Sequence, residues 1–176
     1  MTDRAVIRPA TAEDADACAR IYAPWVRDTA VTFEAEPPGP VEMAERIAAA
    51  QQRHAWLVAT APDGEVLGYA YGGPWKSRAA YAWTCEVSVY LDGAAHGRGL
   101  GRALYDALFA ELAARGMVVA VAGATEPNPA SAALHRAAGF TEVGTFRGVG
   151  WKHGAWRDVT WYRRALADAA PDGPRA

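Results

Sequence analysis

Apolar residues recur along this chain with two different periods, and the alternation between them sketches the fold. Ala5-Val6-Ile7-Arg8 predicts a short first strand, and Thr11 followed three residues later by Asp14 predicts a capping box that opens a helix. Cys18, Ile21, Tyr22 and Trp25 form the apolar stripe of that helix, which Pro24 is expected to bend or end. Thr29 to Pro40, carrying Pro37-Pro38-Gly39-Pro40, reads as a loop before a second amphipathic helix from about Val41 to Arg53. Loops this long inside a small domain are often functional. Trp56 to Thr60 and Val66 to Tyr71 should pair as an antiparallel hairpin around Pro62-Asp63-Gly64, with Gly72-Gly73-Pro74 breaking the ladder.

Trp83 to Leu91 alternates with period two. Cys85, Val87, Val89 and Leu91 fall on one face, and Glu86, Ser88 and Tyr90 on the other. From Gly99 to Arg115 the spacing of Leu100, Leu104, Leu108 and Leu112 predicts a helix, closed by Gly116. Met117 to Gly123 is a continuous apolar run, the pattern of a strand buried on both faces. A short helix is expected from Pro129 to Ala138, then strands Phe140 to Gly148 and Trp156 to Leu166 with a turn at Lys152-His153-Gly154. This order describes one α/β domain, residues 1–166, with a mixed and mostly antiparallel sheet flanked by helices. Residues 167–176, rich in Ala, Asp and Pro, read as a disordered tail.

Composition narrows the function classes. The chain of 176 residues carries 18 Lys and Arg against 20 Asp and Glu, so no broad basic surface points to nucleic acid or anionic lipid. Met1 to Arg4 has no apolar segment behind it, and the most apolar stretch, Met117 to Ala124, is too short to span a bilayer. A cytoplasmic location is therefore expected, with neither membrane nor nucleic acid as partner. Two cysteines and four scattered histidines make neither a disulfide framework nor metal-ligand spacing, so Cys18 and Cys85 read as small core residues and no metal is expected.

The most informative segment is His96-Gly97-Arg98-Gly99-Leu100-Gly101, between a strand and a helix. Glycines there let backbone amides converge, and the helix start adds partial positive charge, which together make a seat for phosphate oxygens. Arg98 and Arg102 stand ready to add charge at the rim. The segment lacks the Lys-Ser/Thr of a P-loop and the full spacing of a dinucleotide fold, and a tight connection without ligand is the competing explanation.

His96 to Gly101 resembles the coenzyme A pyrophosphate loop of the GNAT acetyltransferase superfamily, whose pattern is Gln/Arg-x-x-Gly-x-Gly/Ala, and the order of elements is similar too. His96 departs from that pattern, although an imidazole can still donate to a phosphate. Asn128, Ser131 and Leu134-His135 followed by Ala138-Gly139-Phe140 resemble the second superfamily motif, where an Asn contacts the pantetheine arm and a Tyr usually stands at the place of His135. Within the superfamily, Thr32-Phe33-Glu34, Gly73-Pro74-Trp75-Lys76, Trp83-Thr84-Cys85-Glu86 and Gly150 to Asp158 resemble the phosphinothricin and methionine sulfoximine N-acetyltransferases. The likeness runs from about Ile7 to Tyr162. It implies acetyl-CoA as co-substrate, bound by Val89, Tyr90, Leu91, His96, Gly97, Arg98, Gly99, Leu100, Gly101, Arg102, Asn128 and Ser131. It also implies a homodimer; Trp156, Trp161 and Tyr162 read as core residues by default, with a subunit interface as the alternative.

Acetyl transfer to an amine needs the neutral amine, which most primary amines are not at neutral pH, so a base is required. Glu86 is the first candidate, directly or through one water; a cross-strand salt bridge is its plainer explanation. His135 is the second, either protonating the leaving thiolate or sharing base duty, unless it is a packing histidine among alanines. A backbone amide near Val89 to Leu91 would face the developing oxyanion, as in the superfamily. Cys85 lies on the face opposite Glu86, which argues against an acyl-cysteine route. Lys76 and Arg78 are expected to match an amino acid carboxylate, unless they are solvated loop charges, and Phe33 to wall the side chain. The alternatives are a non-catalytic acyl-CoA sensor domain, or an acetyltransferase for another small amine or a peptide.

Overall fold

The expected succession of elements is present in the computed structural model, which describes residues 5–167. In chain order these are strand β1 (Val6–Pro9), helices α1 (Ala15–Asp28) and α2 (Pro40–Arg53), strands β2 (Trp56–Thr60), β3 (Val66–Pro74) and β4 (Thr84–Leu91), helix α3 (Leu100–Ala114), strand β5 (Val119–Thr125), helix α4 (Pro129–Ala137), and strands β6 (Thr141–Lys152) and β7 (Ala155–Ala165). The seven strands form one sheet in the order β1-β2-β3-β4-β5-β7-β6, antiparallel throughout except for the parallel pair β4 and β5. Alternation along the strands divides the core in two. Val58, Tyr69 and Trp56 pack against α1 and α2, while Leu57, Ala70, Cys85 and Val87 pack against α3 on the other face. The expected tail lies outside the described residues apart from Ala167.

Several expectations need correction. Pro24 does not end α1, which continues to Asp28. Its last carbonyls are met from outside: Thr29 Oγ1 donates to Trp25 O at 2.5 Å and Lys152 Nζ to Val26 O at 2.8 Å. The ladder of the β2 and β3 hairpin stops at Trp56↔Tyr71, where Gly72-Gly73-Pro74 is expected to break it, but β3 itself runs on, with Gly72, Gly73 and Pro74 paired to Val87, Glu86 and Cys85 of β4. A Cβ on Gly72 would sit 3.0 Å from the buried Leu112 side chain, which would have to give way. Even-numbered residues of β3 point their amides toward β2, as Gly72 does to Ala55 O, so the missing amide of Pro74 falls beyond the start of β2 and costs no ladder bond.

The apolar run after α3 forms its strand two residues late. Gly116 N–H donates to Ala113 O at 2.9 Å and Met117 N–H to Leu112 O at 3.0 Å, so Met117 still belongs to the helix exit. Nor is that strand buried on both faces throughout, because Gly123 is exposed. Of the C-terminal aromatics, read as core with an interface as the alternative, Tyr162 is core, 1% exposed and stacked on His135 at 4.7 Å, Trp161 is half-buried, and Trp156 alone is exposed.

The functional consequence lies at β4 and β5. They pair from Thr84↔Val119 to Glu86↔Val121 and then separate, although both strands continue. Asp92 N–H donates to Leu67 O at 2.9 Å, and by alternation the amides of Ser88 and Tyr90 also face β3. Those of Val89 and Leu91 point into the widening gap.

Candidate active site

Beyond the gap the chain turns into α3 through the glycine segment. Gly97 and Gly99 have φ of 75° and 73°, the left-handed region where a side chain is strained, and a Cβ on either would meet nothing within 4 Å. Gly101 differs from them, since a Cβ there would press on the Leu134 side chain of α4 at 3.3 Å. The first intrahelical bond runs from Ala103 N–H to Gly99 O at 3.1 Å, so the amides of Leu100, Gly101 and Arg102 have no partner within the helix. They lie at its positive end, where an anionic phosphate is favoured.

These groups border a cleft of about 480 Å³. Val89, Tyr90, Leu91, His96, Gly97, Gly99, Leu100, Gly101, Arg102, Asn128 and Ser131 all line it; Arg98 does not. Asn128 Oδ1 accepts from Ser131 N–H at 3.0 Å and so caps α4, leaving only its NH2 group to donate elsewhere. Arg102 is held at 2.8 Å by Asp106, which offsets part of its charge, and donates to Ala137 O. His96 stacks on Trp25 at 5.7 Å. Leu134, part of the second motif, also lines it; Trp25, Val31 and Ala130 complete the lining and were not found by sequence reasoning, because nothing but tertiary packing brings them there.

A second cavity of about 440 Å³ adjoins the first, and Val31 and Tyr90 line both. Glu86, Ser88 and Tyr90 form its floor from β4, joined by Tyr71, Gly123 and Trp161. Val31, Thr32, Phe33 and Glu34 close it from the loop after α1. Burial raises the pKa of the Glu86 carboxyl, and the positive charge of Lys76 opposes part of that rise. Lys76 itself lies outside the lining, with Nζ 5.2 Å from the centroid of Trp75, and Arg78 is exposed at the start of a short 3-10 turn. Sequence reasoning also missed the ties that hold the loop. Arg46 grips Glu34 with bonds of 2.7 and 2.9 Å, and Tyr22 OH reaches Thr32 Oγ1 at 2.6 Å and Glu34 Oε1 at 3.0 Å.

His135 lies on the other side of the gap. It borders a small third cavity of about 50 Å³ whose lining shares Ser88, Tyr90 and Gly123 with the Glu86 cavity. Its ring is packed among Tyr162 at 4.7 Å, Phe140 at 5.2 Å and Tyr105 at 6.0 Å, with Nε2 3.4 Å from the Tyr105 hydroxyl. Nδ1 is buried without a partner. Burial lowers its pKa to about 4, so the imidazole is neutral at pH 7. Cys85 is fully buried on the α3 face and burial pushes its thiol up to about 12, which leaves no thiolate for an acyl-enzyme. Among the described residues no group of three His, Cys, Asp or Glu is arranged to hold a metal ion, and no helix is long and apolar enough to cross a membrane.

Residues 7–161 match the family model described as an acetyltransferase (GNAT) domain. The chain is 42% identical over 168 residues to a phosphinothricin N-acetyltransferase of Streptomyces viridochromogenes, covering 96% of this chain and 91% of that protein. It is 38% identical over 166 residues to an L-methionine sulfoximine/L-methionine sulfone acetyltransferase of Pseudomonas aeruginosa, covering 92% and 95%. The crystal structure of a phosphinothricin acetyltransferase from Sinorhizobium meliloti in complex with AcCoA superposes with a TM-score of 0.91 at 35% identity, covering 97% of this chain and 94% of that one.

Proposed function

The chain belongs to the GNAT acetyltransferase family, and we propose that this acetyl-CoA-dependent N-acetyltransferase acts on the α-amine of a small amino acid-like acceptor. Phosphinothricin, methionine sulfoximine and methionine sulfone are the acceptors in view, because relatives spanning nearly the whole chain are named for them. One observation carries the reading. The half-buried carboxylate of Glu86 lines a cavity that meets the glycine-lined cleft at Val31 and Tyr90, and its surroundings make it more basic than an exposed glutamate.

Acetyl-CoA supplies the thioester carbonyl that the amine attacks. The residues fit it: the open amides from Gly97 to Arg102 suit the pyrophosphate, Asn128 and Ser131 flank the pantetheine path, and β4 offers unpaired amides beside it. In the proposed mechanism Glu86 takes the proton from the acceptor's ammonium, directly or through one water. The Val89 or Leu91 amide then donates to the carbonyl oxygen as negative charge develops on it. As the tetrahedral intermediate collapses the C–S bond breaks, and the proton shed by the attacking nitrogen passes to the departing CoA thiolate, relayed by His135, which enters as a neutral ring and not as imidazolium. Phe33 walls the acceptor's side chain, and Lys76 and Arg78 attract its carboxylate from outside the lining. No protein nucleophile is needed once amine and thioester are held within reach.

We also propose that a second copy of the chain covers β6. This strand of 12 residues is an edge of the sheet, and Val143, Phe146, Val149, Trp151 and Trp156 stand more than half exposed along it and its partner β7.

A non-catalytic acyl-CoA sensor is the second reading, and Glu86→Gln separates the two. That variant keeps the shape and loses the base, so kcat should fall by about 10²-fold or more with acetyl-CoA affinity retained. Full activity in Glu86→Gln from pH 6 to 9 would remove Glu86 from the mechanism, and absence of any acceptor-dependent thiol release by the wild type would favour the sensor.

A further inference from the structure

Lys152, at the end of β6, is 8% exposed and far in sequence from every residue its ammonium touches. Nζ donates to Val26 O at 2.8 Å, to Thr32 O at 3.1 Å, and to Glu34 O. An ammonium has three protons, and here each has a carbonyl acceptor. One acceptor belongs to the last turn of α1, where a cation also complements the helix dipole. The other two flank Phe33. The ring of Phe33 lies directly on Gly150, two residues before Lys152, where a Cβ would overlap it. His153, one residue further on, has Nε2 3.0 Å from Thr29 O. Three successive features of the β6 end therefore clamp the loop that closes the Glu86 cavity.

We propose that Lys152 is a positioning residue for acceptor binding: it fixes the backbone on both sides of Phe33 so that the loop presents Val31 to Glu34 to the acceptor in one arrangement. This rests on the Glu86 cavity being the acceptor site. The alternative, that Lys152 merely stabilises the fold, predicts equal damage at both substrate sites. Arg46 and Tyr22 hold the side chains of Glu34 and Thr32, but among the described residues Lys152 alone donates to the carbonyls of Thr32 and Glu34 through a charged group.

Lys152→Met keeps the aliphatic stem and removes the donors, leaving three carbonyls without their partner. Hydrogen–deuterium exchange of the 29–36 segment, measured without substrate, should accelerate. The acceptor KM should rise about tenfold while that of acetyl-CoA stays within about twofold. Gly150→Ala, which displaces the Phe33 ring and leaves Lys152 in place, should raise the acceptor KM in the same selective way and guards against a Lys152→Met protein that does not fold. Unchanged exchange in folded Lys152→Met, or a parallel rise of both KM values, would overturn the role. Faster exchange with an unchanged acceptor KM would overturn it differently, by showing that this cavity is not where the acceptor binds.

Discussion

His135→Phe keeps an aromatic ring in the slot between Tyr162, Phe140 and Tyr105 but removes the titrating group. In the unfolded chain the imidazole titrates near 6.5, whereas burial lowers the folded value to about 4. Between those values the unfolded state binds the extra proton, so wild-type stability is highest above pH 6.5 and is lost as pH falls toward 4. The gap corresponds to about 3 kcal/mol for a buried group, using ~1.4 kcal/mol per pKa unit. His54 is also lowered, by burial and then by Arg53 and Arg115, and contributes to the same slope in both proteins. The difference between wild type and variant therefore isolates His135, and any constant overpacking cost of the larger ring cancels. Denaturant unfolding from pH 4 to 8 measures it: the two stability curves should converge by about 3 kcal/mol, or cross, as pH falls from 6.5 to 4. Parallel curves would show that His135 is not buried as a neutral ring. The same argument bears on catalysis, since about one ring in a thousand is protonated at pH 7 with a pKa near 4.

Gly99→Val should weaken acetyl-CoA binding with the fold retained, because φ of 73° is strained for a β-branched residue while a Cβ there meets no neighbour; isothermal titration with CoA measures it, and unchanged affinity would remove the glycine segment from the donor site. Lys76→Met should move the acid limb of kcat/KM toward higher pH, because burial raises the Glu86 pKa and Lys76 opposes that rise; a limb that stays put or moves the other way would mean Glu86 does not titrate in the profile. Arg78→Ala and Lys76→Ala should raise the acceptor KM, and initial-rate kinetics in which neither does would dismiss both as carboxylate partners.

What the sequence made legible were features written in local pattern. The glycine segment is readable because Gly97 and Gly99 satisfy a backbone requirement that no neighbour can substitute, and Glu86 because a period of two puts it on the polar face whatever surrounds it. Less legible was anything decided by distant chain. Lys152 reads as a hairpin-turn charge, yet it is buried because carbonyls more than a hundred residues earlier meet its ammonium. Tyr162 resembles Trp156 and Trp161 in composition, and strand register alone turns it inward against His135. Pro74 signals a break, but its missing amide falls where β2 has ended, which only the pairing reveals.

Initial rates of CoA thiol release against a panel of amines test the central claim most directly. Phosphinothricin, methionine sulfoximine and methionine sulfone should be acetylated with kcat/KM about 10²-fold or more above methionine, whose side chain lacks the polar tetrahedral terminus that those three share. Equal efficiency for methionine, a polyamine or a peptide would contradict it.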